Sequence, residues 1–267
     1  MKLQILALVG FFSFSISLAH GGLPPSLQVT IEDGGKNFLG DLYLPAKNSK
    51  KVPLVIVIHE WWGKNEYPGM RGKKIADELG YAALVVDLYG EGKVVNDPKS
   101  AGEMAGPFYK NPNMAVERLE KFIAAAPAIA KGAGFEIDTK KEAAIGYCFG
   151  GTQALALART GKMSNVVVFH AGLGSSLKAD GKSKLHLLVL HGNADQFVKP
   201  EEVKAFKEEM KKAHADMKFV AYDDATHAFT NANSTAVGKK FSIPIAYNEK
   251  ADQESWAEMV KYFKTRF

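Results

Sequence analysis

Ala143-Ala144-Ile145-Gly146-Tyr147-Cys148-Phe149-Gly150-Gly151 is the stretch on which the fold of this chain turns. An apolar strand over 143–145 runs into a glycine, then a cysteine, then two glycines that open an alanine- and leucine-rich helix over 151–160. A strand-to-helix turn this sharp strains its central residue and leaves no room for side chains two positions to either side. Gly146 and Gly150 meet that requirement around Cys148. The turn also aims the N–H groups and positive dipole end of the helix at the central side chain, where they favour negative charge. Cys148 therefore reads as a nucleophile; the bland alternative is an inert thiol buried at a glycine-rich strand exit.

Outward from this turn, continuous apolar, β-branched runs recur at 54–58, 82–86, 166–169 and 185–190, with a last strand at 218–222. Such runs suit parallel strands covered on both faces. At the N-terminal end, 27–31 alternates with period two, turn residues follow at 33–37, and 38–44 returns, which predicts an antiparallel hairpin. Helical patterns lie at 70–79, 114–126, 200–214 and 253–263. Alternating strands and helices after a hairpin predict an α/β fold, with a mostly parallel central sheet and helices on both faces. Finding no internal repeat and no second core, we expect a single domain over 24–267. The insert 94–113, rich in glycine and proline, is either a cap over the strand ends or an ordinary surface connection. As a cap it would turn Met104, Phe108 and Tyr109 toward a substrate.

Composition narrows the class. The 267 residues are 46% hydrophobic and 24% charged, ordinary for a globular domain. The net charge of +5 is spread over scattered lysine pairs without a basic, aromatic-studded face, so nucleic acid is not an expected partner. Residues 1–19 read as a cleavable signal peptide: Lys2, an apolar stretch, and Ser17-Leu18-Ala19 at the cleavage position. The expected location is periplasmic or extracellular. No later segment reaches the roughly 20 apolar residues of a membrane span. Cys148 is the only cysteine, so it forms no internal disulfide.

A nucleophile needs a base, and the base an acid to orient it. Strand 187–190 leads into His191-Gly192-Asn193-Ala194-Asp195, and the last strand into Asp223-Asp224-Ala225-Thr226-His227. Asp195 lies 47 residues after Cys148 and His227 a further 32, room for one βα unit between acid and base. This predicts Asp195 as the acid and His227 as the base, with Asp223 or Asp224 as the rival acid. His59, His170 and His191 stand at strand ends, where they line or support the site. The first parallel strand ends in His59-Glu60-Trp61-Trp62-Gly63, so the N–H groups of Trp61 and Phe149 are the candidate oxyanion donors. No His/Cys/Asp set falls at metal-ligand spacing, and neither a metal nor another cofactor is expected.

From about Gly40 onward the chain resembles the dienelactone hydrolase family of α/β-hydrolases. The resemblance is carried by His59-Glu60-Trp61-Trp62-Gly63, Asp87-Leu88-Tyr89-Gly90, Gly146-Tyr147-Cys148-Phe149-Gly150-Gly151, His191-Gly192-Asn193-Ala194-Asp195 and His227-Ala228-Phe229. It implies that Cys148, Asp195 and His227 form the triad. It also implies that Glu60 is the glutamate that contacts the resting thiol and helps generate the thiolate. Members of the chlorocatechol pathway clamp a substrate carboxylate with arginines after the Asp-Leu-Tyr and His-x-Phe motifs. Here those stretches read Gly90-Glu91-Gly92-Lys93 and Thr230-Asn231-Ala232-Asn233, without arginine.

The expected activity is hydrolysis of a small-molecule carboxylic ester or lactone through an acyl-enzyme, by a monomer or small homo-oligomer. His59, Trp62, Tyr89, His170 and Phe229 are the expected substrate-lining residues. The alternatives are an acyltransferase using the same triad, and a non-catalytic binding protein on a hydrolase fold.

Overall fold

The computed structural model describes residues 26–46 and 51–267, so the segment read as a signal peptide lies outside the described residues. Eight strands form one sheet: β1 Leu27–Asp33, β2 Lys36–Tyr43, β3 Lys51–Ile58, β4 Ala82–Val86, β5 Glu136–Tyr147, β6 Asn165–Phe169, β7 His186–Gly192 and β8 Asp216–Tyr222. Their order across the sheet is β1-β2-β4-β3-β5-β6-β7-β8. The β1–β2 hairpin is antiparallel and β2 pairs antiparallel with β4. Every pairing from β4 to β8 is parallel.

Seven helices accompany the sheet among the described residues: α1 Glu66–Leu79, α2 Pro98–Lys110, α3 Asn113–Gly132, α4 Phe149–Arg159, α5 Pro200–Lys212, α6 Ser234–Phe241 and α7 Glu249–Arg266. Because strand side chains alternate between faces, β3 divides its apolar run between two cores. Leu54, Ile56 and Ile58 join residues of α2, α3, α4 and α5. Val55 and Val57 join Tyr67, Ile75 and Ala76 of α1 and Trp256, Met259 and Phe263 of α7. Helices therefore cover both faces, as the continuous apolar runs predicted.

Helix α6 lies where no helical pattern was read, and two further elements differ from the sequence reading. Strand β5 begins at Glu136, well before 143, because its polar first half pairs at the sheet end, where Lys51 and Val52 of β3 meet Glu136 and Ile137. The insert 94–113 is mostly helix: Asp97 caps α2 by accepting the Ser100 N–H at 2.9 Å, and Pro98 opens it. Gly102, Gly106 and Pro107 hid that helix, since each weakens a helical pattern. Among the described residues no helix is long and apolar enough to cross a membrane.

Candidate active site

The site forms where β5 turns into α4. Cys148 holds φ 54° and ψ −119°, a conformation that side-chain-bearing residues rarely adopt. Around it the backbones pass so closely that only glycine fits. A Cβ on Gly146 would stand 2.1 Å from the Gly150 carbonyl oxygen, and one on Gly150 would stand 2.3 Å from that of Ile58. The second contact also presses the turn against the end of β3, which leads into Glu60 and Trp61.

The Cys148 N–H donates to the Phe169 carbonyl at 3.0 Å and to Nδ1 of His170 at 3.1 Å. Burial, and after it the charges of His227 and Arg71, hold His170 well below the usual imidazole range. The neutral ring keeps Nδ1 bare to accept, so Nε2–H donates to Thr230 Oγ1 at 2.7 Å, and Thr230 shares a 2.5 Å hydrogen bond with the Tyr67 hydroxyl.

The loops after β7 and β8 are tied together. Asn193 N–H donates to the Tyr222 carbonyl at 2.9 Å and Ala194 N–H to that of Ala225 at 3.0 Å. Between them sits the buried Asp195, whose Oδ1 accepts the Phe197 N–H at 2.9 Å while Oδ2 accepts His227 Nδ1–H at 2.7 Å. Asp223 is engaged elsewhere, accepting from Asn193 Nδ2 at 2.7 Å. His227 and Cys148 line the same cavity. Burial alone would lower His227, but Cys148 and Asp195 together hold it well above the usual range. Both interactions favour the protonated form of the imidazole.

Glu60 is 2% exposed, and burial pushes its carboxyl up to about 7 against the opposing pull of the Asn231 hydrogen bond and of His227 and Arg71. Its Oε2 accepts from Asn231 Nδ2 at 2.7 Å, and its buried Oε1 has no protein partner among the described residues. The hydrogen-bond partner of this carboxyl is therefore Asn231 rather than the Cys148 thiol. His59 fixes the strand end behind it: Nδ1–H donates to the Glu60 carbonyl at 2.6 Å and Nε2 accepts the Leu88 N–H at 3.2 Å. No described backbone hydrogen bond occupies the N–H of Trp61 or of Phe149.

A cavity of about 500 Å³ opens onto Cys148 and His227. Trp61, Trp62, Phe149 and Val198 line it, and Tyr109 and Phe197, 52% and 49% exposed, reach its wall from α2 and from the loop after Asp195. Gly102 and Ala105 of α2 also line it, so the insert does cover the site. Of the three residues expected beneath that cap, only Tyr109 reaches the cavity. Phe108 packs between Tyr89 and Phe149 in the core, and Met104 lies against the same core. Of the five expected lining residues, Trp62 is in the wall and the other four stand behind it. Tyr89 donates its hydroxyl to the Trp61 carbonyl at 2.9 Å, and Phe229 packs edge-on to His170 at 5.2 Å. Asn231, Phe197 and Glu202 were missed. Asn231 stands in the stretch that lacks the arginine, and Glu202 lies in the helix expected over 200–214.

A mostly parallel sheet with helices on both faces, a strained strand-to-helix turn and a histidine–aspartate pair beside it define an α/β-hydrolase. The Dienelactone hydrolase family matches residues 39–267. The chain belongs to that family and is a hydrolase acting on ester bonds. It is 30% identical over 219 residues to Protein usf of Aquifex pyrophilus, covering 79% of this chain and 87% of that one. Among solved structures, m3DLH superposes with a TM-score of 0.80 at 32% identity, covering 90% of this chain and 97% of its own. P91, a dienelactone hydrolase-like promiscuous phosphotriesterase from metagenomic libraries, superposes at 0.81 with 31% identity, covering 92% and 100%.

Proposed function

We propose that this chain hydrolyses carboxylic esters or lactones through an acyl-enzyme on Cys148, with His227 as general base and acid and Asp195 as its orienting carboxylate. The observation that carries the reading is the His227 ring, held through Nδ1 by the buried Asp195 and lining the same cavity as Cys148. In the first half-reaction Sγ bonds to the acyl carbon, the C–O bond breaks, and the imidazolium proton goes to the departing alkoxide. In the second, His227 takes a proton from water, the hydroxyl bonds to the acyl carbon, and the C–S bond breaks. The Trp61 and Phe149 N–H groups hold the oxyanion formed in each. Glu60, near its titration point at neutral pH, modulates the charge on the thiol rather than acting as the base.

The test is turnover of p-nitrophenyl acetate by Cys148→Ala and His227→Ala, with circular dichroism as the folding control. Both variants should lose turnover with the fold retained; near-full activity in either would end this reading.

A second activity can be read in the same assay. P91 is a phosphotriesterase, and a cavity walled mainly by apolar and aromatic side chains suits a neutral triester as it does a neutral ester. A diethyl aryl phosphate should be cleaved slowly by the same cysteine. We further propose that residues 1–19 are a cleaved export signal, which N-terminal sequencing of the mature protein from its own host would test.

A further inference from the structure

The charge of the cavity wall carries information about the substrate. Apart from Cys148 and His227, the ionisable side chains that line it are, among the described residues, Glu60, Glu202 and Tyr109, and no lysine or arginine lines it. The buried arginines are committed elsewhere, Arg71 to Asp252 at 2.6 Å, Arg118 to Asp33 at 2.7 Å and Arg159 to Glu209 at 2.8 Å. Glu202 is not a loose surface group. It sits in the first turn of α5, and its Oε1 accepts the N–H groups of Leu173 at 2.6 Å and Gly174 at 2.9 Å. Two amide donors hold this carboxylate in a fixed position. With Oε1 taken, Oε2 has no protein donor among the described residues. Gly174 also lines the cavity beside Glu202, so this anchored anion belongs to the wall itself.

We propose that Glu202 is a specificity-determining residue that restricts this site to uncharged esters and lactones. The reading rests on the hydrolase activity proposed above and names its substrate class. Pinned by two backbone donors, Glu202 cannot swing away when a second carboxylate enters. An anionic acyl or alcohol group in the cavity meets the Glu202 carboxylate, and no described lysine or arginine lines the cavity to offset it, beside aromatic walls that screen poorly. A neutral apolar group meets Trp61, Trp62, Tyr109 and Phe197, which favour it by burial.

The experiment uses two matched pairs, so that the charge lies on either side of the scissile bond. One pair is p-nitrophenyl heptanoate and mono-p-nitrophenyl adipate; the other is methyl 4-acetoxybenzoate and 4-acetoxybenzoate. For at least one pair, kcat/KM should favour the neutral member by about tenfold or more. That ratio should shrink with added salt, and in Glu202→Gln it should fall toward unity. The introduced amide keeps an oxygen for the two backbone donors, and the neutral ester is the internal reference for each variant. Equal rates for both members of both pairs would overturn the proposal, as would a ratio unmoved by Glu202→Gln. Calorimetry on Cys148→Ala with benzamide and benzoate reads the same selection without turnover. Benzamide should bind more tightly, and Glu202→Gln should erase the difference; equal affinities before that substitution would count against it. Absence of turnover on every ester with selective binding intact would instead sink the hydrolytic reading alone.

Discussion

Nδ1 of His170 accepts the backbone N–H of Cys148 at 3.1 Å, so the strained residue at the centre of the β5–α4 turn is held from outside its own strand and helix. Burial keeps His170 neutral, and its other nitrogen is fixed by Thr230, itself bonded to Tyr67. His170 is a positioning residue: it orients the backbone that carries the sulfur and packs its ring 5.4 Å from that of His227.

Removing that acceptor should misplace the nucleophile without emptying the cavity. His170→Leu is expected to lower kcat by about 10- to 100-fold with a smaller change in KM. His170→Asn, whose side-chain oxygen can accept near the same point and which tolerates the φ of 40° there, should recover part of the loss. Steady-state kinetics of the two variants check this; equal losses in both would point to packing alone.

The carboxyl of Glu60 gives a prediction with a definite sign. Its folded value of about 7 lies above the ordinary 4.5, so burial favours the neutral form. The native state gains most from this group below pH 4.5 and loses that gain as pH rises through 7. The shift corresponds to about 3 kcal/mol at full ionisation. Glu60→Gln should therefore exceed wild type in stability by up to about 3 kcal/mol at pH 8, with the difference vanishing near pH 4.5. Urea unfolding at about pH 5, 6, 7 and 8 measures it. A difference that does not change with pH would contradict the assignment.

Asp195 accepts from both the Phe197 amide and His227. In Asp195→Asn the side-chain oxygen can keep one of these bonds, while its NH2 can face Nδ1 and force the wrong tautomer on the histidine. Activity should fall by about 10²- to 10⁴-fold with little change in thermal midpoint. The same measurements on Asp223→Asn should show near wild-type rates, since that carboxylate engages Asn193.

Gly150 is where the turn touches β3. A Cβ there meets the backbone oxygens of Ile58 and His59 at 2.3 and 2.5 Å, and neither can swing aside as a side chain can. Gly150→Ala should destabilise the protein by about 1–3 kcal/mol. It should also depress kcat, because the displaced segments carry the Trp61 and Phe149 N–H groups. Urea unfolding and kinetics on one preparation test both effects.

Much of this arrangement was legible in the sequence because it rests on local chemistry. The glycines around Cys148 follow from the closeness of crossing backbones. The places of Asp195 and His227 follow from strands that end just before them. Continuous apolar runs announced a sheet covered twice. Helix α2 was hidden because tertiary packing of Ala101, Ala105 and Phe108 overrides three weak helix residues. Strand β5 was truncated because half of it is polar. The pairing of Glu60 with Asn231 joins positions 171 residues apart, and no local pattern encodes it. His59, Tyr89, His170 and Phe229 do not line the cavity, because strand-end position does not reveal which side chains reach it and which stand behind its wall.

The proposed mechanism stands or falls on Cys148 carrying the acyl group. Rapid quenching of the enzyme with excess p-nitrophenyl acetate, followed by intact mass and peptide mapping, reads this directly. A single acetyl adduct is expected on the peptide containing Cys148, formed and lost at rates compatible with turnover and absent from Cys148→Ala. An acetyl group mapped to another side chain, or undiminished turnover by Cys148→Ala, would contradict it.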